Sequence, residues 1–159
     1  MRFLRRVPAP ILAGAVMAII GATAWIAHMP WLFPSLGPTI AIQAQAPGTT
    51  VARPWNVVVG HLVGASVGFA CVWATGSVHE APVNIVSAIS LARILAAVLA
   101  VAFSMGLQHL LDADHPPAQA TTLLIVVGAL DADFRGAYVL VTGIALVAML
   151  GEVVRRAKA

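Results

Sequence analysis

From Val7 to Ala52 the chain carries no Asp, Glu, Lys or Arg, and from Pro54 to His79 it again carries none. About 20 apolar residues suffice to cross a bilayer, so both runs are long enough to do so. Backbone amides in hydrocarbon must find partners within the chain, which leaves helices or a closed barrel. Barrel strands alternate apolar and polar residues, whereas these runs are apolar all round. The expected fold is therefore an all-α polytopic membrane helix bundle. Composition agrees: 60% of the residues are hydrophobic and 9% are charged, against about 25% charged in a soluble domain. The 159 residues are expected to form one transmembrane domain, 1–159.

The net charge is +3, and Arg2, Arg5, Arg6, Arg155, Arg156 and Lys158 sit at the two ends. Basic ends predict that both termini lie on the cytoplasmic side of an inner or plasma membrane. Nothing basic is interleaved with aromatics, so no nucleic-acid partner is expected. Cys71 is alone, which excludes an internal disulfide and a Cys-x-x-Cys metal site; it reads as a packing residue. The Arg-rich, then apolar, N-terminus reads as a retained first helix rather than a cleaved leader.

Six apolar segments follow. The first spans about Ala9–Ala27, and the second, after a proline-rich stretch, Ser35 to about Ala46. The third runs from Pro54 to Thr75-Gly76. The fourth is interrupted by Arg93 and ends near Leu111. The fifth runs from Pro116-Pro117 to about Leu130, and the sixth from Gly136 to about Val154. The second and fifth are short: fifteen helical residues span about 22 Å, against a hydrocarbon core of about 30 Å. They either cross, shielded by neighbours, or re-enter. Both begin at prolines and are expected to present unpaired N-terminal amides.

The halves, about 9–78 and 91–156, align at an offset of 82 residues without a gap. Pro34 falls on Pro116, Thr39 on Thr121 and Arg53 on Arg135. An internal two-fold repeat is expected, each half reading long helix, short proline-started helix, long helix. Crossing short helices would make the halves inverted, and re-entrant ones would make them parallel. Counting basic residues cannot choose between the two, since each arrangement puts seven on one side and two on the other.

The sharpest local signal is His115-Pro116-Pro117 followed by Ala118-Gln119-Ala120-Thr121-Thr122. With Leu36-Gly37-Pro38-Thr39 and the stretch Arg53-Pro54-Trp55-Asn56-Val57-Val58-Val59-Gly60-His61-Leu62, it resembles the HPP family of small polytopic membrane proteins. The likeness is carried by residues 34–75 and 109–130. Gln119 departs from it, standing where many members carry glycine. Some members are implicated in nitrite transport, so the resemblance implies a transporter or channel for a small inorganic anion, nitrite first.

The residues themselves are compatible with that reading. Half-helix N-termini are aimed at anions near the midplane of many transporters, because their amides and dipole favour negative charge. Thr39, Thr121 and Thr122 would offer hydroxyls, while Pro34, Pro38, Pro116 and Pro117 would set the helix starts. The plain alternative is ordinary helix starting and capping. His61, about 12 Å into its helix from Arg53, is an ionisable group inside a span and so a functional candidate. An imidazole that titrates near neutrality suits proton coupling, and a neutral, hydrogen-bonded packing histidine is the equal alternative. His115 either faces the pathway or caps the preceding helix. Arg53 and Arg135 stand at pathway mouths or act as interfacial anchors that snorkel. Gly60, Gly64 and Gly68 form a smooth stripe for close helix packing. Asp112, Asp114, Asp131 and Asp133 read as solvated loop residues.

The expected partners are thus the bilayer, a small inorganic anion, a proton and a further copy of the chain. No metal or other cofactor is expected. No nucleophile–base pair, carboxylate pair or phosphate loop argues for an enzyme. The alternative to transport is a membrane scaffold or sensor module, favoured by how few polar residues the chain has with which to line a pore.

Overall fold

The computed structural model describes residues 2–86 and 88–159. Among these it has seven α-helices and two 3-10 turns, Thr50–Ala52 and Ser77–His79. A short α1 (Arg2–Arg6) precedes α2 (Ala9–Ala27), α3 (Leu36–Gln45), α4 (Pro54–Ala74), α5 (Leu91–Leu110), α6 (Ala118–Val126) and α7 (Phe134–Lys158). Four of them, α2, α4, α5 and α7, are long and apolar enough to cross a membrane. The all-helical bundle expected from the uncharged runs is the fold observed.

The helix boundaries have local causes. Pro8 and Pro54 stand at helix starts, where a missing N–H costs nothing. His28 adopts the left-handed conformation (φ 53°) and closes α2, with Pro30 behind it. Side chains cap α5 and α7: Ser90 accepts from the Arg93 amide and Asp133 from the Gly136 amide. That cap starts α7 two residues before Gly136, and the helix continues past Val154 to Lys158. The fifth segment is shorter than expected, since α6 stops at Val126 and Gly128 turns the chain with φ 74°.

Contacts along the long helices fix the direction of every segment. The Lys158 ammonium donates to the Val7 carbonyl (2.6 Å), so the end of α7 lies beside the start of α2. After α2 the chain doubles back. Leu32 lies against Gly21, Phe33 against Gly143, Gln43 against Gly151, and the Pro47 carbonyl accepts from Arg155. The extended stretch before α3 and α3 itself therefore make one full traverse of the bundle. The same holds for the segment around α6. Leu111 bonds Trp55 at the start of α4, His115 lies against Gly60, Ile125 against Gly68, and Ala132 bonds Trp73 near the end of α4. The short helices cross the bundle; they do not turn back halfway. Arg53 lies at the end of the bundle that holds the termini, and Arg93 and Arg135 lie at the other.

The first residues of α2 and α5 are 82 positions apart, and so are those of α3 and α6. α4 packs on α6 through the glycine stripe. A Cβ at Gly60 would lie 2.7 Å from the His115 Cβ, one at Gly64 2.7 Å from the Thr122 hydroxyl, and one at Gly68 3.2 Å from Ile125. Outward-facing Leu91, Ile94, Leu95, Val98, Phe103 and Leu110 cover α5 with apolar surface, as contact with lipid requires.

Candidate functional site: a buried hydroxyl–histidine chain

α3 and α6 run away from each other, and their N-terminal ends meet inside the bundle. The Ser35 and Thr121 hydroxyls are 2.8 Å apart. Thr121 Oγ1 is also 2.8 Å from His61 Nδ1. On the other side of that ring, His61 Nε2 lies 2.9 Å from Thr39 Oγ1. Thr39 Oγ1 is in turn 3.1 Å from His115 Nε2 and 2.8 Å from the Ser35 carbonyl one turn back. His115 Nδ1 completes the series at 2.8 Å from the Val51 carbonyl. The two imidazoles meet edge to face with centroids 4.9 Å apart. None of these five side chains belongs to a residue more than 1% exposed.

Local sequence explains the assembly. Gly60 leaves room for His115 beside α4, and His61 is the next residue along that helix. Asn56 donates its amide to the Asp112 and Asp114 carbonyls (3.3 and 3.0 Å), pinning the loop that carries His115. The Gln108 Oε1 accepts the His115 backbone amide at 3.2 Å. A cleft of about 260 Å³, lined by Met105, Gln108, Asp114, His115 and Gln119, opens beside the His115 end.

Thr39, Thr121, His61 and His115 are brought together, and Ser35 joins them. Thr122 is not in the group: its hydroxyl lies 3.1 Å from the Gly64 carbonyl and 3.2 Å from that of Ala118, facing the α4 seam. Arg53 and Arg135 are exposed, and Arg53 stands two residues from the Val51 end of the chain of bonds. Pro34, Pro38 and Pro116 are exposed, and Pro117 is buried. The expectation of unpaired amides at α6 needs correction. Pro116 and Pro117 have no N–H, and the amides of Ala118, Gln119 and Ala120 donate to the His115, Pro116 and Pro117 carbonyls. A tight opening turn uses them up, so what faces the centre is hydroxyl and imidazole. Gln119 accepts a bond from Ser104 on α5 (2.7 Å).

Two features escaped sequence reasoning. Ser35 stands at the N-cap of α3, and its place after Pro34 was the available signal. Arg93 is buried. Its guanidinium donates to the Val126, Ser77, Glu80 and Ala81 carbonyls and lies 3.4 Å from the Glu80 carboxylate. Its signal was a lone cation in an apolar run, which must find partners if it is buried.

A helical bundle clothed in apolar side chains, with its polar groups gathered inside, is an integral membrane protein. Residues 3–158 match the family described as HPP, transmembrane region, and the chain belongs to that family. No curated protein and no solved structure matches it.

Proposed function

We propose that this protein is a transporter or channel for a small monovalent inorganic anion, with nitrite the first to test. The observation that carries this reading is the meeting of the α3 and α6 N-termini at the Ser35–Thr121 contact, next to two buried histidines. Two helix dipoles then point their positive ends at one place, as in transporters whose broken helices bind anions near the midplane. Neutral hydroxyls and dipoles hold a monovalent anion weakly enough to release it. In the conformation described, the hydroxyls bond their neighbours, so an anion enters by displacing the Ser35–Thr121 contact.

The internal repeat belongs to the same proposal. The coincident helix starts at an 82-residue spacing support it, and so do paired contacts between the halves: Gly60 with Ala113 and His61 with His115 on one side, Thr142 with Trp31 and Gly143 with Phe33 on the other. Three traverses per half make the halves inverted. Seven basic residues lie at the end of the bundle with the termini and two, Arg93 and Arg135, at the other, which supports cytoplasmic termini.

The test is nitrite uptake into liposomes containing the purified protein, with protein-free liposomes as reference. Thr39→Val with Thr121→Val should abolish the protein-dependent uptake while the melting transition persists. Unchanged uptake in that variant overturns the site. A scaffold or sensor module is favoured by one observation, that each hydroxyl and imidazole of the chain already has a partner within the protein, and it predicts no uptake by the parent protein.

A further inference from the structure

We infer that Ser35, Thr121, His61, Thr39 and His115 form a proton relay from the bundle centre to the Thr50–Ala52 turn, which makes anion movement proton-coupled. The inference rests on the anion reading above and adds the second substrate, the proton.

The polarity of the chain of bonds follows from its last member. The Val51 carbonyl only accepts, so His115 must carry its proton on Nδ1. With the ring neutral, His115 Nε2 is then an acceptor, and the Thr39 hydroxyl donates to it. That uses the single Thr39 hydrogen, so His61 Nε2–H donates to Thr39. His61 Nδ1 is therefore an acceptor and takes the Thr121 hydrogen. The Ser35 and Thr121 hydroxyls, 2.8 Å apart, can each donate to the other by rotation; with the Thr121 hydrogen on His61, Ser35 is the donor. With the Thr39 hydrogen on His115, the five side chains run head to tail and each donor points toward the Val51 face.

A chain ordered in this way passes a proton by short hops. A proton given to the Ser35 oxygen by hydronium or by the protonated substrate acid releases the Ser35 hydrogen to Thr121. Thr121 releases its own to His61 Nδ1. The imidazolium formed gives its Nε2 proton to Thr39, Thr39 gives its hydrogen to His115 Nε2, and the doubly protonated His115 ring turns from the Val51 carbonyl and gives its Nδ1 proton to water in the cleft beside it. One proton enters, one leaves, and the bonds from Ser35 to His115 have been reversed. Rotation of the hydroxyls and rings resets the chain. The Thr39 hydrogen can instead reach the Ser35 carbonyl at 2.8 Å. That position leaves His115 Nε2 without a donor and interrupts the relay.

The relay draws on both repeat halves but lies on one side of their pseudo-two-fold only. At the 82-residue spacing, His61 corresponds to Gly143 and His115 to Phe33. Those two also touch: the Phe33 ring lies 2.5 Å from where a Gly143 Cβ would be. Where one side has paired imidazoles, the other has a phenyl ring in a glycine notch, which cannot carry a proton. The proton path therefore ends at the centre, where the anion is held, and protons cross only together with the anion. The neighbouring charges leave the relay to itself. His115 is the titratable side chain against His61, α3 and α6 offer hydroxyls, and α5 presents the Gln108 amide. On α7, Arg155 and Arg156 pair with Glu152, and Arg93 on α5 pairs with Glu80. His109 and Asp114 pair on the surface.

The test has two arms. In the first, liposomes containing the protein and an internal pH dye receive a nitrite gradient, with protein-free liposomes as reference. The parent should move one proton with each nitrite, independent of membrane potential. The readout in His61→Gln is the ratio of protons to nitrite: whatever nitrite still moves should do so without its proton and depend on voltage. In the second arm, ¹⁵N spectra of the histidine rings in lipid should show the Nε2–H tautomer at His61 and the Nδ1–H tautomer at His115. Nitrite uptake without protons in the parent, proton coupling retained in His61→Gln, or the opposite tautomers each overturn the relay while the anion reading stands. A folded parent that takes up no nitrite overturns the anion reading, and the coupling with it.

Discussion

Gly64→Ala should destabilise the protein although alanine is the better helix former. The added Cβ would lie 2.7 Å from Thr122 Oγ1 and 2.8 Å from the Ala118 carbonyl. Ordinary contact begins near 3.4 Å, so α4 and α6 must part by roughly 0.6 Å at a point where backbone, not a flexible side-chain tip, opposes them. Overpacking of this kind costs about 1–3 kcal/mol, and the helix preference of alanine returns up to about 1 kcal/mol. The net loss is up to about 2 kcal/mol. At about 2–4 °C per kcal/mol for a chain of this size, melting should fall by up to about 8 °C. Gly106 on α5 supplies the control, because a Cβ there meets nothing within 4 Å. Gly106→Ala should therefore melt at or up to about 4 °C above the parent. Scanning fluorimetry of the detergent-purified proteins reads both. If Gly64→Ala melts as high as Gly106→Ala, the close α4–α6 approach is refuted.

Two further outcomes follow from buried contacts. Arg93→Gln should cost about 2–3 kcal/mol by leaving the Val126 and Ser77 carbonyls and Glu80 without their donor. Arg93→Lys should rescue little of it, since an ammonium cannot span the same acceptors, and a melting temperature within 1 °C of the parent for either variant would contradict this account. Phe33→Ala should cost about 3–5 kcal/mol by emptying the notch at Gly143. Adding Gly143→Ala should recover part of that loss, because its Cβ enters the vacated space; strictly additive losses would contradict the packing.

The membrane fold was legible because absence of charge is a property of sequence alone: the uncharged runs admitted nothing but helices. The prolines at 34, 54 and 116 marked three helix starts because a residue without an N–H is tolerated there. Thr39, His61, His115 and Thr121 were singled out as polar groups inside apolar surroundings, and the structure brings them together. What the sequence did not disclose depends on partners far along the chain. Whether the short helices cross or re-enter is decided by contacts such as Phe33 with Gly143 and Pro47 with Arg155. Thr122 looked equivalent to Thr121, but successive helical residues point about 100° apart, which turns Thr122 to α4. Gln43 shows the same dependence. Its side chain is buried against Gly151 with no hydrogen-bond partner among the described residues.

The two short traverses also constrain how the chain enters a membrane during synthesis. α3 has ten residues and α6 nine, about 15 Å of helix each, too little to be recognised as a span in its own right. If a translocon passed over them, the four long helices would alternate in direction, and α4 and α5 would be threaded backwards. In the finished protein α2 and α4 point the same way, and so do α5 and α7. The stretch from Met29 to Ala46 must therefore be committed to the bilayer before α4, while the glycine seam that will shelter the later short helix does not yet exist. With the termini cytoplasmic as proposed, Arg53, at the start of α4 on the side of the bundle where the termini lie, is the charge that can hold that end back. On the opposite side Arg93 would send the contrary signal, and Glu80 with the surrounding carbonyls neutralises it.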